Sequence, residues 1–199
     1  MLRLRRVAVT GRTSCGKSLF CHYLKEFGAY IVSADKIVHQ LLSPDTGPGK
    51  QVITLLGPSI VVNGQIDRTI VAKKVFENSI LLKALEEILH PAVRDRIAEE
   101  YRQAEAAGKY SLFAAEIPLL FEAGMENDFD MTVVIAAEEE SCLQRFKEST
   151  GSDAEDYRRR TKRQLSQEAK AARATMTIYN NSTMEHLRAE AKNLTLKGA

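Results

Sequence analysis

The chain has 199 residues, 44% of them hydrophobic and 27% charged, which is enough apolar material for one globular core. Its net charge of +2 is too small to argue for a nucleic-acid partner, and no apolar run approaches the roughly 20 residues that span a bilayer. Three cysteines without C-x-x-C spacing (Cys15, Cys21 and Cys142) argue against a disulfide framework or a thiolate metal site and predict free thiols in a reducing, cytoplasmic compartment.

Residues 6–10 read as a short buried strand. They run into Gly11-Arg12-Thr13-Ser14-Cys15-Gly16-Lys17-Ser18, which fits the phosphate-loop pattern G-x-x-x-x-G-K-[ST]. Apolar residues at helical spacing then predict a helix over 18–27, stopped by Gly28. Strand, loop and helix in this order make a nest of backbone N–H groups for phosphate oxygens. The candidate ATP contacts are therefore Gly11 to Ser18 with Leu19 behind them. Lys17 places a charge near the β- and γ-phosphates, and Ser18 offers a hydroxyl to Mg²⁺. A cleaved signal peptide would remove this loop, so none is expected. Cys15 stands beside a helix N-terminus, where its pKa can fall; a small loop residue with no redox role is the plainer reading.

Further strands are predicted at 30–33, 111–115, 131–136 and 176–179, several of them continuous apolar runs suited to a parallel sheet covered on both faces. Between them the pattern predicts helices over 79–107, 138–147, 154–172 and 183–192. The first carries an apolar stripe (Leu81, Leu82, Leu85, Ile88, Leu89) and a break or kink at His90-Pro91. Asn63-Gly64 signals a small hairpin. The alternation implies an α/β domain with a five-stranded parallel sheet. Residues 36–107 hold no good core strand and read as a helical insertion, where a kinase can hold its acceptor.

Asp35 is expected to end the second strand, at the strand end that faces the phosphate loop. It can accept a hydroxyl proton or help to hold Mg²⁺, or serve as an N-cap for a following helix. Glu116, ending the third strand, fits either the outer shell of a metal or a solvated strand end. Arg68 can pair with a substrate phosphate or simply be solvated. Pro118, Leu119, Leu120, Phe121 and Glu122 suit a pocket wall or the core. Arg158-Arg159-Arg160 and Arg163 suit a nucleic-acid surface, a solvated helix paired as Glu155–Arg159 and Asp156–Arg160, or a lid over phosphate. The phosphate loop favours the lid.

These residues resemble the dephospho-coenzyme A kinase family. The resemblance runs from Val7 to about Ser182. It rests on Ser33-Ala34-Asp35, Asp67-Arg68 with Val75-Phe76, Leu89-His90-Pro91 with Arg94, and above all Ile117-Pro118-Leu119-Leu120-Phe121-Glu122. Arg160 with Gln164, Glu168 with Lys170, and Asn180-Asn181 add to it. It implies a three-layer P-loop kinase fold with core segments 1–35, 108–148 and 173–199, a substrate-binding insertion at about 36–107 and a lid at about 149–172. It implies ATP-dependent phosphorylation of the ribose 3′-hydroxyl of dephospho-CoA, with Mg²⁺, in the last step of CoA synthesis. Asp35 matches the family's base, Lys17 and Ser18 its phosphate and metal contacts, and Arg145 its lid-side arginine. Asn180 falls near the expected ATP base; Arg68, His90 and Pro118 to Glu122 fall where dephospho-CoA is held.

The family's loop is usually richer in glycine. Here Arg12 and Ser14 stand at glycine positions, and positive φ there would cost about 1 kcal/mol or more each. Arg12 can instead reach over a phosphate. Ser33 stands where an Asp is common, and Ser149 where a second lid arginine is usual. The rival readings are another small-molecule or nucleoside monophosphate kinase, or a nucleotide-dependent nucleic-acid-binding module. The expectation is a monomer without nucleic-acid or membrane partners.

Overall fold

A computed structural model describes residues 3–76 and 78–196. In chain order the elements are β1 (Arg6–Thr10), α1 (Lys17–Glu26), β2 (Tyr30–Ser33), α2 (Ala34–Leu41), α3 (Gly47–Leu56), β3 (Val61–Val62), β4 (Gln65–Ile66), α4 (Arg68–Phe76), α5 (Ser79–Ala107), β5 (Phe113–Glu116), β6 (Met131–Ala136), α6 (Glu139–Thr150), α7 (Ala154–Thr161), α8 (Gln167–Arg173), β7 (Met176–Tyr179) and α9 (Met184–Leu196). Two compact units share them, one made of the chain up to Ser33 and from Tyr101 onward, the other of Ala34–Glu100.

The first unit is built on a five-stranded sheet in the order β2-β5-β1-β6-β7, with every pairing parallel. The strands are apolar on both faces because both are covered. Val7, Val9, Ala114, Val133, Ile135 and Ile178 pack under Phe20 and Leu24 of α1, Phe146 of α6, and Leu187 and Leu194 of α9. On the opposite face Phe113 meets Tyr101 of α5 edge-on at 5.5 Å, and α8 packs along β6. The result is three layers, helices–sheet–helices. β1 lies between β5 and β6, so its carboxyl end opens at the switch point of the topology, where α/β sheets bind ligands.

The second unit is helical apart from one hairpin. Val52, Leu56, Ile60, Ile66, Val71, Val75, Leu85 and Leu89 form its core, and Leu81, Leu82 and Ile88 of the predicted stripe pack against it. Asn63 and Gly64, at φ +50° and +75°, make the β3–β4 turn.

Three expectations change. α5 runs unbroken through Pro91, which lies on an exposed face where water can take the carbonyl that the ring leaves free. The expected helix 154–172 is two helices. Ser166 caps α8 by accepting from the Ala169 N–H at 3.1 Å, and the Leu165 N–H leaves the helical ladder for a side chain. β2 ends at Ser33, paired with the last residue of β5, and α2 starts at once. Asp35 therefore sits in the first helical turn, neither at a strand end nor as an N-cap.

Candidate functional site

The phosphate loop owes its shape to two glycines that nothing else can replace. A Cβ on Gly11 (φ +144°) would lie 2.2 Å from the Ile135 carbonyl oxygen, and one on Gly16 (φ +105°) 2.3 Å from Asn180 Nδ2. Between them Ser14 takes φ +58°, the strained backbone that a non-glycine loop predicts, whereas Arg12 does not. Cys15 points inward and is fully buried, and its carbonyl accepts from Asn180 Nδ2 at 2.9 Å. Gly16 is the N-cap of α1, with no side chain on the helix end, so the first N–H groups of a ten-residue helix stay open to an anion.

Lys17 is buried, and its ammonium donates to the Arg12 carbonyl at 2.8 Å. It therefore lies folded along the loop that it can neutralise. Ser18 Oγ donates to Glu116 Oε1 at 2.7 Å, joining the first turn of α1 to the end of β5. A hydroxyl and a carboxylate in contact are hard oxygen donors suited to Mg²⁺. Among the described residues no group of three or more His, Cys, Asp or Glu side chains could hold a metal ion.

Arg145 on α6 donates from Nη2 to the Asn180 carbonyl at 3.1 Å, while its Nη1 is buried without a hydrogen-bond partner. Asn180 is itself buried and committed to Cys15, so the side chain expected near the ATP base braces the loop from behind. Leu19 is half-buried and packs against the core.

The 149–172 segment meets the loop through a glutamine. Gln164, in the link between α7 and α8, accepts from the Thr13 N–H at 3.0 Å and the Thr13 hydroxyl at 3.3 Å. Among the lid arginines, Arg159 pairs with Asp156 one position closer than the expected i,i+4 partners, Arg160 lies over the Phe146 ring at 5.3 Å, and Arg163 is exposed. Arg12 pairs with Glu139 at 3.2 Å, away from any reach over the loop. A cleft of about 400 Å³ beside Arg12 is lined by Glu138, Glu139, Glu140 and Glu168. Four acidic residues against one arginine give this cleft a negatively charged lining.

The 118–122 stretch divides. Pro118 and Leu119 are half-buried, whereas Leu120 and Phe121 lie inside the fold and offer no open surface. Glu122 is bound to Lys170 of α8, whose Nζ lies 2.9 Å and 3.0 Å from its two oxygens, and it accepts from the Leu165 N–H at 2.7 Å. Lys170 also donates to the Pro118 carbonyl at 2.9 Å and is fully buried. Burial pulls the Lys170 pKa below its ordinary value, against Glu122, which raises it. Glu122 thus serves the frame of the segment. Nothing in the residue pattern pairs it with Lys170; only the tertiary fold does.

Three candidates lie in the second unit. Asp35 is exposed in the first turn of α2. Arg68 is exposed at the start of α4, behind Asp67, whose carboxylate accepts from the Thr69 and Ile70 N–H groups at 2.8 and 3.2 Å. His90 is half-buried within α5. The Cys15 thiol is pushed above its ordinary pKa by burial, which outweighs nearby Lys17, so the expectation of a lowered value fails and the plain loop residue remains. Cys21 is raised well above by burial and Cys142 to about 11.

A profile of the dephospho-CoA kinase family matches residues 5–186. The dephospho-CoA kinase of Protochlamydia amoebophila is 45% identical over 98% of this chain and 96% of its own length. A Thermus thermophilus protein of known structure superposes with a TM-score of 0.84 at 30% identity, covering 98% of both chains. The dephospho-CoA kinase from Campylobacter jejuni superposes with a TM-score of 0.71 at 28% identity, covering 96% of both. A shikimate kinase from Bacteroides thetaiotaomicron, at 10% identity and a TM-score of 0.52, shares the fold.

Proposed function

The chain belongs to the dephospho-CoA kinase family, and from that premise we propose how its residues divide the work. The reaction transfers the γ-phosphoryl group of ATP to the ribose 3′-hydroxyl of dephospho-CoA, giving CoA and ADP, the final step of CoA synthesis. The observation that carries the reading is the uncapped start of α1 behind the Gly11–Gly16 turn, with Lys17 and the Ser18–Glu116 pair at one edge.

The loop from Gly11 to Ser18 holds the phosphates through the N–H groups that it leaves open, the Thr13 N–H being taken by Gln164. Lys17 exchanges the Arg12 carbonyl for β- and γ-phosphate oxygens, a short swing for a flexible side chain. Ser18 would hold Mg²⁺ and Glu116 would orient its outer shell, and the ion would supply charge neutralisation for phosphoryl transfer. Asp35 accepts the 3′-hydroxyl proton, having the exposed carboxylate such a step needs. Arg145 turns Nη1 to the nucleotide. Asn180 serves ATP through the loop it braces. Arg68, His90, Pro118 and Leu119 contact dephospho-CoA. The unit made of the chain up to Ser33 and from Tyr101 onward carries the nucleotide core, with about 149–172 as its lid, and Ala34–Glu100 is the acceptor insertion, which begins and ends earlier than the 36–107 read from the sequence. Arg159, Arg160 and Arg163 are the arginines of that lid.

The same reading makes the chain a cytoplasmic monomer without nucleic-acid partners. Its cysteines are free thiols, and the pairing of Arg159 and the stacking of Arg160 mute the basic run. Among the described residues no helix is long and apolar enough to cross a membrane.

The test is mass-spectrometric detection of CoA and ADP from ATP, Mg²⁺ and dephospho-CoA, with Lys17→Ala as control and a panel of other hydroxyl acceptors. CoA formed only by the wild type supports the reading; phosphorylation of a different acceptor refutes it. Asp35→Asn is expected to lower turnover far more than ATP affinity, and near-normal turnover would remove Asp35 from its role.

A further inference from the structure

The link between α7 and α8, residues 162–166, is fastened at two places of different strength. Its end towards α8 is fixed by a buried ionic group. The Leu165 N–H is held by Glu122, Glu122 by Lys170, and Lys170 by the Pro118 carbonyl. Next to it Gln167 accepts from the Ala137 N–H at 2.8 Å, tying α8 to the end of β6. A second fastening is the Gln164 side chain, one amide oxygen shared by the N–H and the hydroxyl of Thr13. The first fastening carries charge in a buried setting and the second is neutral and half-buried.

We infer that Gln164 is a positioning residue for phosphoryl transfer: it latches the lid to the phosphate loop by holding the Thr13 N–H and hydroxyl. The fixed end keeps α8 in place whether or not the latch is made. Making the latch sets the Thr13 peptide, three residues before Gly16, and holds the Gln164 part of the link against the loop. An amide oxygen suits this position, since it accepts both Thr13 hydrogens without adding negative charge beside the phosphates. A carboxylate of the same shape would accept them equally well and repel the nucleotide. A closed link also excludes water, which otherwise competes with the acceptor hydroxyl for the γ-phosphoryl group.

The catalytic half of this inference rests on the kinase reading; the latch itself does not, and the experiment separates them. Amide hydrogen exchange at Thr13, followed by NMR in the full-length protein, reads the latch without any reaction. Gln164→Ala, and Gln164→Met to keep length and packing, are expected to speed exchange at Thr13 by about tenfold, the worth of one lost hydrogen bond, while Gln164→Glu keeps the protection. In the kinase assay Ala and Met are expected to raise ATP hydrolysis relative to transfer by about tenfold. Gln164→Glu is expected to weaken ATP binding by a similar factor, more at low salt than at high. Unchanged exchange at Thr13 in both Ala and Met overturns the latch. Faster exchange with an unchanged hydrolysis-to-transfer ratio overturns its role in positioning. If the wild type makes no CoA, the kinase reading fails while the exchange result still stands or falls by itself.

Discussion

Replacing Lys170 by Met tests whether Glu122 belongs to the frame or to the substrate. Lys170 is fully buried and makes three contacts, at 2.9 and 3.0 Å to Glu122 and 2.9 Å to the Pro118 carbonyl. Methionine fills similar space without the charge. Glu122, with 16% of its side chain exposed, would keep only the Leu165 N–H, and the Pro118 carbonyl only the longer contact at 3.3 Å from Thr10 Oγ1. Removing one partner of a buried pair costs about 3–5 kcal/mol. The remaining N–H and the partial exposure of Glu122 place this case near the lower end, at about 3 kcal/mol. At roughly 2–4 °C per kcal/mol for a chain of this size, the melting temperature should fall by about 6–12 °C. Glu122→Gln alone leaves Lys170 as an unpaired buried cation and should cost a similar amount. The double variant removes both charges and should cost clearly less than the sum of the two. Calorimetry of the four proteins at neutral pH measures this. A Lys170→Met melting point within about 2 °C of wild type, or costs that simply add, would refute the buried pair as the anchor of the lid.

Ser14→Gly relieves left-handed strain of roughly 1–2 kcal/mol and adds unfolded-state freedom of about 0.5–1, so it should stabilise by about 0.5–1 kcal/mol in urea titrations. A loss of stability would mean that Ser14 makes up for its backbone elsewhere. Asp130 accepts from the Arg6 N–H at 2.8 Å and from the guanidinium groups of Arg3 and Arg6 at 3.3 Å. Burial acts to raise its pKa, but these partners together hold it below the ordinary 3.8. A depressed carboxyl pKa gives stability that is present above 3.8 and lost as pH falls through the folded value. Asp130→Asn should therefore flatten the acid limb of stability below about pH 4, measured by urea midpoints across pH. All three cysteines are buried with pKa values raised by burial, so Ellman's reagent should find no fast thiol before unfolding. Rapid labelling of Cys15 would contradict the closed loop.

The parts of the fold that depend on neighbours in sequence were legible. The apolar runs of β1, β2, β6 and β7 match the predicted bounds, and β5 begins two residues later than expected. There Leu112 and Ser111 bond with Tyr30 and Gly28 outside the ladder. The loop was legible because G-x-x-x-x-G-K-[ST] encodes both its backbone and its charge. The lid was not, because its break depends on Glu122 taking the Leu165 N–H from 43 residues away. Nor was the use of Glu122, Gln164 and Asn180. Each is a polar side chain whose role depends on which distant group the sheet order brings to it. Ser18–Glu116 lies between these cases, since strand ends can be read from the sequence but their pairing cannot.

The unusual residues of the loop show how a sequence poor in glycine still builds this shape. A glycine-rich loop is free to adopt the nest but loses entropy when it does. Here the freedom is removed by side chains pointing away from the phosphate side. Arg12 goes out to Glu139 on the first turn of α6, Cys15 goes inward to complete the core, and Asn180 fixes the Cys15 carbonyl from behind. Only Gly11 and Gly16 remain where a Cβ would strike a carbonyl oxygen or the Asn180 amide. Ser14 bears the remaining strain, the roughly 1–2 kcal/mol of its left-handed backbone, which the surrounding bonds offset. The trade makes Asn180 as necessary to the loop as the glycines. Asn180→Ala removes the bond to Cys15 and the wall behind Gly16 together, so it should weaken ATP binding without touching the nucleotide. Isothermal titration with ATP and Mg²⁺ would show this, and unchanged affinity would mean the loop holds its shape through Arg12 and Cys15 alone.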